Sequence, residues 1–273
     1  MKNYLYDIFA NKWVRKNGSI YIYSDPHFSD LDSYMLRDII HCITREQFEE
    51  LDIQNFSYDD FLNIAVKHAD EMQIKNINKV CGKNDTLIIL GDVGNVECVK
   101  KLKAGYKVLI LGNHDKGASN YKRVTDYVEY CYDDKNSEEF KSIVLSKIQE
   151  FIDYGYIDKI CLDEGRIVHK LTLDNHLFDE VYEGPLMIND RVILSHEPIP
   201  MTTYMFNIHG HVHKEVPFTT EFHLNVCAEH IDYTPINLLR LFKQGLLSDV
   251  ENIHRVTIDT AVERKRGNDD GSK

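Results

Sequence analysis

Lys107-Val108-Leu109-Ile110-Leu111-Gly112-Asn113-His114-Asp115 begins as an apolar run and ends in a glycine followed by an amide, an imidazole and a carboxylate. A run without alternation reads as a strand buried on both faces, and its polar end marks the strand's carboxyl terminus. The same order recurs along the chain. Ser19-Ile20-Tyr21-Ile22-Tyr23-Ser24 leads into Asp25-Pro26-His27, and Thr86-Leu87-Ile88-Ile89-Leu90 leads into Gly91-Asp92. Arg191-Val192-Ile193-Leu194-Ser195 ends at His196, and Met205-Phe206-Asn207-Ile208-His209 ends at Gly210-His211-Val212-His213. Open α/β sheets gather their ligands beyond the carboxyl ends of strands, so the five clusters are expected to converge on one rim. A sixth segment, Glu221 to Val226, alternates polar with apolar residues, as a strand with one exposed face does.

Helical spacing fills the gaps. Ser57 is a candidate N-cap for a helix whose Phe61, Ile64, Ala65, His68 and Met72 recur at three- and four-residue steps. A second helix is predicted from near Asn136, with Phe140, Ile143, Val144, Ile148, Phe151 and Ile152 on its apolar face. Both stripes read as core packing and carry none of the candidate chemistry. The segment 131–176, with a break at Tyr154-Gly155-Tyr156, reads as an insertion, either overhanging the site or simply structural.

With 273 residues, residues 1–262 are expected to form one domain around one large core, and the polar 263–273 segment a disordered tail. The formal charge of −12 supplies no long-range attraction for a nucleic-acid backbone. Six cysteines, Cys42, Cys81, Cys98, Cys131, Cys161 and Cys227, show no C-x-x-C pair, and reduced, buried thiols are the expected state. Lys2 and Asp7 interrupt the apolar run that a secretory signal needs, and no stretch is long enough to span a bilayer, so a cytoplasmic protein without a membrane partner is expected.

Imidazole and carboxylate together suit Mn²⁺, Fe²⁺ or Zn²⁺ better than ions that prefer all-oxygen shells, and no thiolate is required. Each fragment has an ordinary alternative: an Asp after a strand as a turn or capping residue, a Gly-Asn pair as turn chemistry, Gly-His-x-His as exposed strand histidines. His41, His68, His169, His176, His223, His230 and His254 match no ligand position and read as surface or packing residues. Extended backbone would place His209 on the same side as His211 and His213, where it is a candidate for contact with the ligands or the substrate. Phe28, directly after the first cluster, reads as packing over the strand end more readily than as pocket lining.

Taken in order, Asp25-x-His27, Gly91-Asp92, Gly112-Asn113-His114-Asp115, Ser195-His196 and Gly210-His211-x-His213 resemble the complete signature of the calcineurin-like metallophosphoesterases, over roughly Ser19 to Leu238. The resemblance implies an α/β fold, a four-layer α/β/β/α sandwich of two mixed sheets flanked by helices, here with a helical insertion. It also implies two divalent metal ions, Mn²⁺ in the first place and Fe²⁺ or Zn²⁺ as alternatives. Asp25, His27 and His213 would hold one ion, and Asn113, His196 and His211 the other. Asp92 would bridge them, since two cations about 3.5–4 Å apart need an anionic bridge. A hydroxide between the metals is the expected nucleophile, with His114 protonating the leaving oxygen and Asp115 orienting its ring.

The expected reaction is hydrolysis of a phosphate ester, diester or monoester, on a small and nucleotide-like molecule; the oligomeric state is not indicated. Protein phosphatases of the superfamily carry Gly-Asp-x-Val-Asp-Arg-Gly and Gly-Asn-His-Glu, whereas this chain has Gly91-Asp92-Val93-Gly94-Asn95 and ends its motif in Asp115. The phosphate-clamping arginine is thus missing there. A nuclease is the alternative, disfavoured by the acidic charge. A scaffold without turnover is disfavoured because His27, His114, His196, His211 and His213 are all present.

Overall fold

The structure is a computed structural model that describes residues 4–36, 57–131, 142, 146, 159–164, 168–213 and 219–250. Along the chain run α1 (Asp7–Trp13), β1 (Ile20–Tyr23), α2 (Leu31–Leu36), α3 (Tyr58–Val80), β2 (Thr86–Ile89), α4 (Val96–Lys100) and β3 (Tyr106–Ile110). Then come β4 (Thr125–Cys131), β5 (Lys159–Glu164), β6 (Val168–Asp174), β7 (Glu180–Tyr182), β8 (Leu186–Met187) and β9 (Val192–Leu194). β10 (Phe206–His209), β11 (His223–Asn225), β12 (Ile236–Asn237) and α5 (Leu238–Lys243) complete the order.

Two mixed sheets, flanked by helices, form the body. The first has the order β12-β1-β2-β3-β7, parallel except at β12. The second runs β11-β10-β9-β8, parallel except at β8. The unbroken apolar runs have a direct cause. Ile20, Ile22, Ile88, Val108 and Ile110 share one core with Val192, Leu194, Phe206 and Ile208 of the second sheet. Tyr21, Leu87, Ile89 and Leu109 join another core with Ile77 of α3 and Val99 of α4. Each large side chain fully buried there stabilises the fold by roughly 1.5–3 kcal/mol, which makes the first sheet a firm wall for the loops that leave it.

Ser57 caps α3 as expected. Its Oγ accepts from Asp60 N at 3.1 Å, and Asp60 Oδ2 accepts from Ser57 N at 3.1 Å, a capping box contributing about 1 kcal/mol. The buried stripe is rotated from the expected one, however, and consists of Leu62, Ala65, Ala69, Asp70, Gln73 and Ile77. Its two polar members reach toward the first cluster, so this helix is more than core packing.

The polar face of β11 is not exposed: His223 and Asn225 are buried, and Leu224 packs against the core between the sheets. Burial of these polar groups is balanced by hydrogen bonds, His223 Nε2 to Ile199 O at 2.9 Å and Asn225 Nδ2 to Val212 O at 2.6 Å.

The described part of the insertion is a third, antiparallel sheet of order β4-β6-β5, which starts upstream of residue 131. Arg123 closes its base, Nε donating to Asp174 Oδ1 at 2.8 Å and Nη1 to Asp179 Oδ1 at 2.9 Å. The helix predicted from Asn136 lies outside the described residues apart from Ser142 and Ser146, which are helical. The 263–273 tail also lies outside them. Among the described residues no helix is long and apolar enough to cross a membrane.

Candidate metal centre

All five clusters leave the carboxyl ends of parallel strands: Asp25 after β1, Asp92 after β2, Asn113 after β3, His196 after β9 and His211 after β10. The loops after β1 and β2 run side by side. His27 N donates to Asp92 O at 2.9 Å and Phe28 N to Val93 O at 3.0 Å. Asp25, His27, Ser29, Asp92 and His211 all have left-handed backbone, with φ of 55°, 44°, 60°, 49° and 65°. Such residues carry roughly 1–3 kcal/mol of strain each and persist only where the surroundings hold them.

Part of that hold comes from α3. Gln73 Nε2 donates to Pro26 O at 3.0 Å, while Asp70 accepts from Ser29 N at 2.9 Å and from Ser29 Oγ at 2.7 Å. The glycines of the clusters contribute space. A Cβ on Gly91 would stand 2.5 Å from His196 Nδ1, one on Gly112 2.2 Å from Asp92 Oδ1, and one on Gly210 2.1 Å from Asp25 Oδ2. Gly112 and Gly210 have no left-handed φ, so close approach, rather than a tight bend, is what requires glycine there.

Three imidazoles are tied on their outer side. His27 Nδ1 lies 2.9 Å from Asp30 Oδ2, His196 Nδ1 2.8 Å from Leu90 O, and His213 Nδ1 2.6 Å from Glu229 Oε1. Each partner is an acceptor, which fixes the proton on Nδ1 and leaves the Nε2 lone pair pointing inward. His196 Nε2 then faces Asn113 Oδ1 at 2.8 Å and His211 Nδ1 at 3.2 Å. His27 Nε2 and His196 Nε2 both lie 3.4 Å from Asp92 Oδ2, and His213 Nε2 lies 3.6 Å from Asp25 Oδ1. The buried atoms Asp25 Oδ1 and His27 Nε2 make no hydrogen bond.

Lone pairs converging at these separations need cations among them. Donors around one ion at bond lengths of about 2.0–2.1 Å lie roughly 3.0–3.4 Å apart, close to what is observed. Among the described residues, three groups of donor atoms lie within 4.8 Å of one another: Asp25, His27 and Asp92; Asp92, His196 and His211; Asp25, His213 and Cys227. The residues present therefore match a divalent-metal centre of nitrogen and oxygen donors.

Burial alone would raise the Asp92 carboxyl, but the neighbouring His27 and His196 rings and the amide of His114 outweigh it and hold the group at about 2. Asp25 Oδ2 is held by His211 N at 2.9 Å, by Ser24 Oγ and by Cys227 Sγ at 3.3 Å. The sequence offered no sign of Cys227 or Glu229, and only the three-residue step from His27 pointed at Asp30. His230 also belongs to the surroundings: its Nε2 donates to His213 O at 2.9 Å, steadying the loop that carries His211 and His213.

Two expected roles change. Asp115 does not orient the His114 ring: its Oδ2 accepts from Asp92 N at 2.9 Å and Gly112 N at 2.8 Å, and its Oδ1 from Val93 N at 2.9 Å. Both oxygens are thereby committed to backbone. Burial raises the Asp115 carboxyl, partly offset by the Gly112 and Val93 amides and reinforced by the Asp92 charge. His209 is fully buried, with Nδ1 against Gly210 O at 2.8 Å and its ring 6.0 Å from that of His223. The left-handed turn at His211 breaks the alternation that would have aligned His209 with His211 and His213. Phe28 is packing, as the simpler reading had it, buried in the core shared with Ile77.

His114 is exposed, its N donating to Asp92 Oδ1 at 2.9 Å and its ring 5.6 Å from that of His27. Removal of an outer partner tests the centre without touching a donor. Glu229→Ala is expected to weaken metal binding on the Asp25 and His213 side by roughly 10–100-fold while sparing the His196 and His211 side, read by calorimetric metal titration. Equal weakening of both would show that Glu229 is not a local support.

No curated protein matches the chain. A solved structure similar to it is that of the protein of unknown function AQ665 from Aquifex aeolicus, 20% identical, covering 84% of this chain and 100% of that one with a TM-score of 0.44. The family model described as calcineurin-like phosphoesterase matches residues 18–223, which include Asp25, His27, Asp92, Asn113, His196, His211 and His213. The chain belongs to the calcineurin-like phosphoesterase family.

Proposed function

We propose that this protein hydrolyses a phosphate ester of a small molecule with two divalent ions, Mn²⁺ in the first place. Membership of the family implies metal-dependent phosphoester hydrolysis, and the observation that carries the finer reading is the position of Asp92. A single oxygen of it, Oδ2, stands 3.4 Å from His27 Nε2 and 3.4 Å from His196 Nε2, joining two donor groups into one centre. Asp25, His27 and His213 would hold one ion, and Asn113, His196 and His211 the other. When bound, the ions supply Lewis acidity toward phosphate oxygens and bring a water's pKa near neutrality.

The chain's own groups do the remaining work. Asp92, kept ionised, balances the positive charge between the two donor groups. His27, His196 and His213 keep their inner nitrogens aimed by Asp30, Leu90 and Glu229. The His114 ring belongs to none of the donor groups and is exposed beside His27, a position from which it protonates the leaving oxygen. Asp115 ties the loops after β2 and β3 together, so that Asp92 and Asn113 keep their spacing. The net charge of −12 favours a small substrate over nucleic acid.

The test is to strip the protein with chelator, reload it with Mn²⁺, Fe²⁺ or Zn²⁺, count ions by mass spectrometry and assay 4-nitrophenyl phosphate and bis(4-nitrophenyl) phosphate. Two ions per chain and ester hydrolysis that disappears on stripping are expected. Fewer than two ions, or no turnover by any loaded form, would overturn the reading.

A further inference from the structure

Beside the donor groups lies a cavity of about 340 Å³ that touches Asn113 and His196. Its walls include Ile110, Leu111, Pro185 and Ile199, and among the described residues its charged lining is Glu183 and Glu197, with no lysine or arginine. The size is that of a pocket for a small organic group. His114 does not line it. The two features attach to different flanks of the centre: the His114 ring stands 5.6 Å from that of His27, whereas the cavity opens on His196, and Asp92 Oδ2 is 3.4 Å from both of those histidines.

We infer that the substrate is a phosphodiester, and that the substituent it retains is an uncharged or cationic organic group seated in the cavity against Leu111, Pro185 and Ile199. The inference rests on the proposed function and on His114 as the acid, and names what that site accepts. A phosphoryl group held across both flanks has its leaving oxygen toward His114 and a second oxygen toward the cavity. In a monoester that second oxygen is bare and ionised, and it would point away from the ions toward apolar walls and two carboxylates, with no lysine or arginine among the described lining residues to balance it. In a diester it carries carbon, which the walls bury.

The reaction balances on one water. Its oxygen bonds to phosphorus as the bond to the leaving oxygen breaks, and His114 gives that oxygen a proton. The proton shed by the water restores His114, so the products are an alcohol and a monoester of the retained group.

Esters with one leaving group, 4-nitrophenolate, and different retained groups separate the possibilities: methyl, phenyl, 4-carboxyphenyl, 2-(trimethylammonio)ethyl, and none. With the Mn²⁺-loaded protein, kcat/KM for the phenyl ester is expected to exceed that for the methyl ester and for the monoester by ~10–100-fold, the worth of burying a ring. The 4-carboxyphenyl ester is expected to fall below the phenyl ester, and the double variant Glu183→Gln, Glu197→Gln to close that gap. Gly184, also in the lining, has open space around its missing Cβ and no left-handed φ, so Gly184→Leu can narrow the cavity without strain. It should reduce turnover of the phenyl ester by a larger factor than that of the methyl ester.

Turnover that is indifferent to the retained group, a monoester that outruns the diesters, or a Gly184→Leu effect equal on methyl and phenyl overturns this inference while leaving hydrolysis standing. Absence of turnover on every ester by protein carrying two ions overturns the hydrolytic reading and this one with it.

Discussion

Asp92→Asn is expected to empty both metal positions together. The substitution keeps the shape of the side chain and an oxygen to accept from His114 N, so the loop after β3 keeps its tie to the loop after β2. What goes is the charge shared by the two donor groups, on an atom 3.4 Å from a nitrogen of each. The native carboxyl is held at about 2, so it is ionised throughout the range in which the protein would be handled. Because the folded value is depressed, the stabilisation it contributes is present above its ordinary pKa and is lost only as pH falls through about 2. The loss of affinity for each ion should exceed the roughly 10–100-fold that removal of an outer partner produces. Ion counting by mass spectrometry, together with a metal titration, reads it. Loss of one ion alone would contradict a shared position for Asp92.

His114→Ala is expected to lower kcat by roughly 10²–10⁴-fold with both ions retained. The retention follows from geometry: the contact of His114 with Asp92 is made by its backbone N, which alanine also has, and its ring, 5.6 Å from that of His27, belongs to none of the donor groups. A general acid matters most where the leaving oxygen is basic. The defect should therefore be large for an alkyl leaving group and small for 4-nitrophenolate, a contrast that a merely structural role would not produce. Loss of an ion from the variant would mean that His114 belongs to the donor set.

The strands were legible because burial on both faces imposes an unalternating apolar run, and Ile20 to Tyr23, Thr86 to Ile89 and Tyr106 to Ile110 carry that signature. The donors were legible because each follows such a run directly. Partners supplied by distant segments were not. Glu229 meets His213 and Gln73 meets Pro26 through tertiary packing alone, and neither pairing leaves a local pattern. Asp115 was misread for a related reason: proximity in sequence suggested His114, whereas its carboxylate turns back onto amides of the loop after β2. β11 misled because alternation reveals that two faces differ without revealing which one is outside. His223 and Asn225 are inside, each with hydrogen-bond partners.

The close approaches at Gly91, Gly112 and Gly210 bear on how such a centre can be inherited. Each of these glycines makes room for a donor from another cluster: Gly91 for His196, Gly112 for Asp92, Gly210 for Asp25. The clusters are consequently not five modules that a chain acquires or loses one by one. A cluster grafted alone onto another scaffold would bring a notch cut for a side chain it lacks, and a glycine replaced in one cluster would injure its neighbour. Descent with the whole set, or decay of the whole set, is the course such interlocking favours.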